Sequence, residues 1–208
     1  MGILLLVRHG QASFGAADYD RLSDLGHEQA RTLGAALAGL APDGLTHGSL
    51  RRQVATAASM AGAAGWDLTP ELEPGWDEFD HLAVLAAYGE DPAGLDRRAF
   101  QELFERATAH WQQSSPDWPA FLERTRTALE AVAARGGTQV VVTSGGVVGA
   151  VGAALLGTPP EAVPAVWQRL NAVVVNTSVT RVIVGSTGTR LLTFNEHEHL
   201  ARAQVTYR

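Results

Sequence analysis

The chain has no cysteine among its 208 residues, and that absence removes three kinds of chemistry at once. Disulfide staples, thiolate metal sites and a cysteine nucleophile are all excluded. The chain also lacks any apolar run long enough to span a bilayer. Ile3-Leu4-Leu5-Leu6-Val7 is short, and the stretch around Val147 to Leu156 is broken by glycines. The first run has no basic region before it and ends at Arg8 without a small-residue cleavage site, so it does not read as a signal peptide. A soluble, cytoplasmic protein is expected. Blocks of like charge are missing as well. With 16 basic and 22 acidic residues interspersed and a net charge of −6, there is no electrostatic footprint for nucleic acid or an anionic membrane. An anionic substrate must therefore be drawn by a local cluster of cations. No tight set of carboxylates with metal-ligand spacing occurs either, so neither a metal nor another cofactor is expected. The composition is compatible with a homo-oligomer.

What is present alternates between strand-like and helix-like segments, which predicts an α/β fold. It should be a three-layer α/β/α sandwich with a mostly parallel central sheet. The length suits one domain over residues 1–208 and is short for two. Ile3 to Val7 reads as the first strand. Ser23 is a candidate N-cap for a helix ending near Gly39, with Leu25, Ala30, Leu33 and Leu37 at helical spacing. Leu45 to Gly48 reads as a second strand, Arg51 to Ala64 as a helix stopped by Gly65, and Trp66 to Thr69 as a third strand.

Between about residues 70 and 118 the composition shifts toward Pro, Asp, Glu and Trp, which marks a lid or insertion. Phe100, Leu103, Phe104, Ala107 and Trp111 form one amphipathic stripe there, read as core. A helix from Pro119 to Arg135, a buried strand from Gln139 to Thr143, a helix from Gly145 and another from Glu161 to Leu170 follow. Val173 to Val184 and Thr189 to Phe194 read as a closing β-hairpin.

The tripeptide Arg8-His9-Gly10 directly follows the first strand. In an open α/β sheet the C-terminal strand tips are where ligands bind, because the loops there leave a crevice. An imidazole is a competent nucleophile near neutral pH, and a planar guanidinium matches phosphate oxygens with paired donors. The pair therefore points to phosphoryl transfer. A solvated strand end carrying an ordinary arginine and turn is the plain alternative. Gly146-Val147-Val148-Gly149-Ala150-Val151-Gly152 has a superficial dinucleotide look, but its glycine order and late position argue for close helix packing instead.

The stretch from Arg8 to Ser13, followed by Leu22-Ser23-Asp24-Leu25-Gly26-His27-Glu28-Gln29-Ala30, resembles the opening of the histidine phosphatase superfamily, the phosphoglycerate mutase-like proteins. That pattern is Arg-His-Gly, then Leu-Ser or Leu-Thr, two residues, Gly, two residues, Gln-Ala. Asn176-Thr177-Ser178-Val179-Thr180, Phe194-Asn195 and His199-Leu200 are similar to its closing segments, so the likeness covers nearly the whole chain.

The resemblance implies a phosphohydrolase acting on a small phosphomonoester through a phosphohistidine at His9. Arg8 would clamp the phosphate. A second clamp, Arg52 rather than Arg51, is implied by Ser49-Leu50-Arg51-Arg52 with Thr56-Ala57 beyond. The acid for the leaving group is implied in Trp76-Asp77-Glu78-Phe79-Asp80, with Glu78 favoured and Glu73 the rival; Asp80 reads equally as a turn residue. Gln11, Ser144 and Gly145 would bind substrate.

One position departs from the family pattern. Where the family has Ser-His-Gly-Gly after the fourth strand, this chain has Thr143-Ser144-Gly145-Gly146, so Ser144 occupies a histidine's slot. A hydroxyl can hydrogen-bond a phosphate oxygen but brings no positive charge. The backbone N–H groups of Gly145 and Gly146 would remain as an anion-binding edge. His81, His197 and His199 are candidates to replace the missing imidazole from other loops. A phosphoglycerate mutase, or a phospholigand-binding protein with weak or no turnover, are the alternative functions.

Overall fold

The computed structural model describes residues 2–13 and 20–207, and of Arg97 the backbone alone. Six strands form one sheet: β1 (Gly2–Arg8), β2 (Gly44–His47), β3 (Glu71–Leu72), β4 (Gly137–Thr143), β5 (Val179–Gly185) and β6 (Gly188–Glu196), in the order β3-β2-β4-β1-β5-β6. The first four are parallel, and β5 and β6 add an antiparallel edge. Among the described residues seven α-helices flank it: α1 (Asp24–Ala36), α2 (Arg51–Ala64), α3 (His81–Tyr88), α4 (Arg97–Ser114), α5 (Asp117–Ala134), α6 (Gly145–Leu155) and α7 (Val163–Val173).

Alternation along the strands makes the layers. Leu5, Val7, Val140 and Val142 face α1 and α2, where Leu33, Ala57 and Met60 complete one core. Leu4, Leu6, Val141 and Val182 point the other way, into a larger core with Leu129, Val132, Val147, Val151 and Trp167. Each fully buried Leu or Val contributes about 1.5–3 kcal/mol. That exceeds the helix cap at Ser23, whose side chain accepts from Gly26 N for about 1 kcal/mol. Burial therefore holds the helices, and the cap decides where α1 starts. On α6 the glycines serve contact with α7: a Cβ at Gly152 would stand 2.9 Å from Leu170 Cδ1.

The site's location follows from this arrangement. β1 and β4 are neighbours with Arg8 opposite Thr143. The chain leaves β1 toward the helices of one face and β4 toward those of the other. Connections that part in this way open a crevice at the strand tips.

Three segments differ from the sequence expectation. The third strand lies at Glu71–Leu72 rather than 66–69, because Trp66 and Leu68 turn in to pack against the core under α1 and α2. The segment from Val173 does not extend directly into a strand. Helix α7 runs to Val173, and β5 begins only at Val179 after a loop in which Thr177 has φ 59°. Between 70 and 118 there are two α-helices rather than one, since Asp80 caps a short α3 through Leu82 N and Ala83 N.

Candidate active site

His9 follows β1 and is 5% exposed. Its backbone is tied on every side. His9 N donates to Thr143 O at 2.8 Å, Gly10 N to Thr56 Oγ1 at 3.0 Å, Asn176 Nδ2 to His9 O at 3.0 Å, and Thr177 N to Arg8 O at 3.0 Å. The left-handed backbone at β-branched Thr177 costs about 1–3 kcal/mol. It brings the Thr177 N–H to Arg8 O beside the His9 loop. Gly10 and Gly26 let this loop touch the start of α1, since a Cβ on either would overlap the other segment's backbone.

His9 Nδ1 lies 2.7 Å from Gly10 O. A carbonyl only accepts, so Nδ1 carries the proton and Nε2 the lone pair. Arg52 Nε donates to that Nε2 at 3.1 Å. Burial first, then the charges of Arg52 and Arg8, hold the His9 pKa well below the ordinary histidine value. At neutral pH the ring is therefore the uncharged form that a nucleophile requires.

Arg8 and Arg52 converge from β1 and α2. Arg8 donates to Val174 O, and through its other terminal nitrogen to Tyr207 O at 2.8 Å. Arg52 is buried whereas Arg51 is exposed. The Arg52 Nη1 donates to Asp20 Oδ1 at 2.6 Å, and the same carboxylate accepts from Arg51 N at 2.8 Å. Asp20 thus anchors the start of α2 and the Arg52 guanidinium together.

Glu78 comes from the loop between Trp76 and α3, held by its neighbour Phe79. That ring stacks on Trp111 with centroids 4.8 Å apart and meets Trp167 edge-on at 5.6 Å. Gly146 N at the start of α6 donates to Glu78 Oε2 at 2.9 Å. A Cβ at Gly146 would collide with Glu78 Oε1, so glycine is required there by close approach. Burial raises the Glu78 pKa above the usual carboxylate value, against the opposing pull of Gly146 N–H and then Arg52. A carboxyl whose pKa is raised is better suited to donate a proton than an ordinary one.

These groups share one cavity of about 360 Å³, lined by Arg8, His9, Arg52, Glu78 and Gly145. The expected residues do not all reach it. Ser144 is fully buried and its Oγ accepts from Gln53 Nε2 at 2.9 Å, so the hydroxyl is spent inside the core rather than turned to the cavity. Gln11 lines a neighbouring groove, with its Oε1 accepting from Ser23 Oγ at 2.9 Å. Glu73 lies outside the cavity lining and caps the turn at Pro74–Trp76 through Gly75 N. Of the two N–H groups expected as an anion-binding edge, that of Gly146 is taken by Glu78.

A family model described as histidine phosphatase superfamily (branch 1) matches residues 4–197. The chain belongs to the histidine phosphatase superfamily. Several solved structures share its fold. YhfR from Bacillus stearothermophilus is 20% identical with a TM-score of 0.73, over 96% of this chain and 99% of that one. Phosphoglycerate mutase from Bacillus anthracis str. Sterne is 19% identical with a TM-score of 0.69, over 95% and 94%. A mutant phosphoserine phosphatase from Entamoeba histolytica, in complex with phosphoserine, is 20% identical with a TM-score of 0.66, over 97% and 100%. No curated protein matches the sequence. This histidine phosphatase superfamily member thus stands among phosphoryl-transfer proteins that include phosphatases and mutases. Among its described residues no helix is long and apolar enough to cross a membrane, and no group of three or more His, Asp or Glu gathers to hold a metal ion.

Several residues of this superfamily member's cavity escaped the sequence reading. Phe100 and Phe104 begin the stripe read as core, yet only Leu103, Ala107 and Trp111 are buried. The two phenylalanines are partly buried and line the cavity with Phe79, Gln101, Asn171, Ala172 and Tyr207. Helical periodicity reports which face is apolar and not whether protein or a ligand covers it. Thr56 and Asn176 lay within quoted motifs, but their roles became legible only as hydrogen bonds to the His9 loop.

Proposed function

We propose that the chain is a phosphomonoester hydrolase working through a covalent phosphohistidine at His9. The observation that carries this reading is the fixed tautomer of a neutral His9, its Nε2 lone pair beside two guanidinium groups, with a carboxyl of raised pKa in the same cavity. Arg8 and Arg52 would hold the phosphoryl oxygens, offsetting the charge that develops on them. When Arg52 Nε passes from His9 Nε2 to a phosphoryl oxygen, the freed Nε2 lone pair attacks phosphorus, the phosphorus–oxygen bond to the leaving group breaks, and the departing oxygen takes the Glu78 proton. The Glu78 carboxylate then removes a proton from water, whose oxygen attacks phosphorus and releases His9. Phe79, Phe100 and Phe104 give the leaving group an aromatic wall, so a substrate with an apolar or ring-bearing alcohol part is favoured.

A screen of phosphomonoesters with inorganic phosphate readout tests the activity, and rapid-quench mass spectrometry tests the intermediate. An acid-labile, base-stable adduct on His9 is expected, with His9→Ala losing three decades or more of turnover, on the order expected for losing a nucleophile. Retention of most hydrolysis by His9→Ala would sink the assignment. The absence of a cavity-facing side chain at Ser144 favours a second reading, a phospholigand-binding protein of low turnover. Tight phosphate binding by the wild type without release of phosphate from any ester supports that one. Exchange of phosphate between positions of a phosphoglycerate would instead mark a mutase.

A further inference from the structure

Ser144 stands where the family resemblance implies an imidazole, and its side chain is turned into the core. Three histidines are candidates for that role: His81, His197 and His199. His197 Nδ1 bonds Asn195 O at 2.6 Å, and His199 Nε2 approaches Thr177 Oγ1 at 3.3 Å. Neither lines the cavity. His81 does, together with His9, Arg52 and Glu78.

We propose that His81 is the second imidazole of this phosphoryl site, brought from the first residue of α3 in place of the residue at the tip of β4. Its position is built rather than incidental. Asp80 accepts from Leu82 N and Ala83 N, both at 3.0 Å, which fixes where α3 begins. Phe79, buried among Trp111, Phe121 and Trp167, pins the chain one residue earlier still. Glu78 and His81, at either end of this anchored stretch of chain, both line the cavity. Electrostatics agree with the geometry. Burial and then the Arg52 charge lower the His81 pKa, with Asp80 opposing, so the ring senses the same guanidinium that the phosphate would meet. A dianionic phosphoryl group lying between Arg52 and His81 would receive an N–H from the imidazole and reverse the unfavourable sign of that pairing.

This inference rests on the phosphoryl-transfer reading, so its test keeps the two separable. Isothermal titration with inorganic phosphate and with orthovanadate is to be run on wild type, His81→Ala and His81→Gln, beside steady-state hydrolysis and thermal melts. His81→Ala should weaken vanadate binding and lower kcat by about 10- to 100-fold, toward the lower end of what a charge-stabilising donor is worth. KM should change less than kcat. His81→Gln, which keeps an N–H donor, should recover part of the vanadate affinity, and both variants should melt close to wild type. If His81→Ala binds vanadate and turns over within twofold of wild type, the inference is overturned while the hydrolase reading stands. It is equally overturned if His81→Gln is no better than His81→Ala. If the wild type hydrolyses nothing yet His81→Ala still loses vanadate affinity, the hydrolase reading fails and His81 remains a phosphoryl-binding residue.

Discussion

The floor of the cavity and its side wall are built by different means. On the floor, Arg8 and His9 stand at the tip of buried strand β1, and Arg52 at the start of α2. Hydrogen bonds accepted by Thr143 and Thr56 and donated by Asn176 and Thr177 lock the Arg8–Gly10 segment. On the wall, Phe100, Phe104 and His81 ride on α3 and α4, which project partly into solvent and leave Leu82 65% exposed. Aromatic stacking holds that side, with Phe100 and Phe104 centroids 6.3 Å apart. Backbone hydrogen bonds fix atoms to a fraction of an ångström, as an in-line attack requires, whereas ring contacts tolerate sliding. Hydrogen bonding therefore fixes the floor more tightly than stacking fixes the aromatic part of the wall, and Phe100 and Phe104 can be altered without unpicking the sheet.

Glu78 belongs to both regions, since it is held by Phe79 on the wall and by Gly146 N at the floor, and its loss gives the largest effect that would sharpen the comparison. Glu78→Gln should cut hydrolysis of an alkyl phosphate by about 10²–10⁴-fold and spare a nitrophenyl phosphate, whose leaving group needs no proton. Glu73→Gln should leave both unchanged. The pH profile carries the same assignment. His9 must be neutral to attack, and its pKa is lowered, so the acidic limb of kcat/KM lies below the ordinary histidine value of 6.5. Glu78 must be protonated to donate, and its pKa is raised, so activity falls as pH climbs through a value above 4.5. Glu78→Gln should keep the acidic limb and lose the alkaline one. Equal losses on both esters, or an unchanged alkaline limb, would remove Glu78 from its role.

A smaller effect probes how rigid the floor is. Ser144→His places a large ring where a buried hydroxyl meets Gln53. Overpacking of this kind costs about 1–3 kcal/mol. The variant should melt several degrees below wild type with no gain in kcat. A stable variant with faster turnover would show that the floor can reopen toward the cavity. The smallest effect belongs to the wall. Phe100→Ala should raise KM for an apolar or aromatic ester by about two- to tenfold, the worth of one ring contact, and leave inorganic phosphate affinity as it is. An equal loss of phosphate affinity would mean that wall and floor are coupled rather than separate.

Local chain chemistry determined a good deal of this protein by itself. Strands alternate Leu4, Leu6 against Leu5, Val7, so the layered sheet was legible from short-range periodicity. Arg8 and His9 are neighbours in sequence, and Arg52 and Glu78 sit at family spacings, so the residues around the cavity were legible too. Tertiary structure alone decided the direction in which side chains point once distant segments meet. Ser144 lost its place at the cavity to a bond with Gln53, 91 residues away. Phe100 and Phe104 pack against the edge of the core but stay partly open to the cavity, whereas Leu103, Ala107 and Trp111 on the same helix are buried. His81 was chosen over His197 and His199 because a capped turn anchored by Phe79 delivers it to Arg52. Spacing along a chain records the face a residue occupies, but its partner across that face is set by packing between segments far apart in sequence.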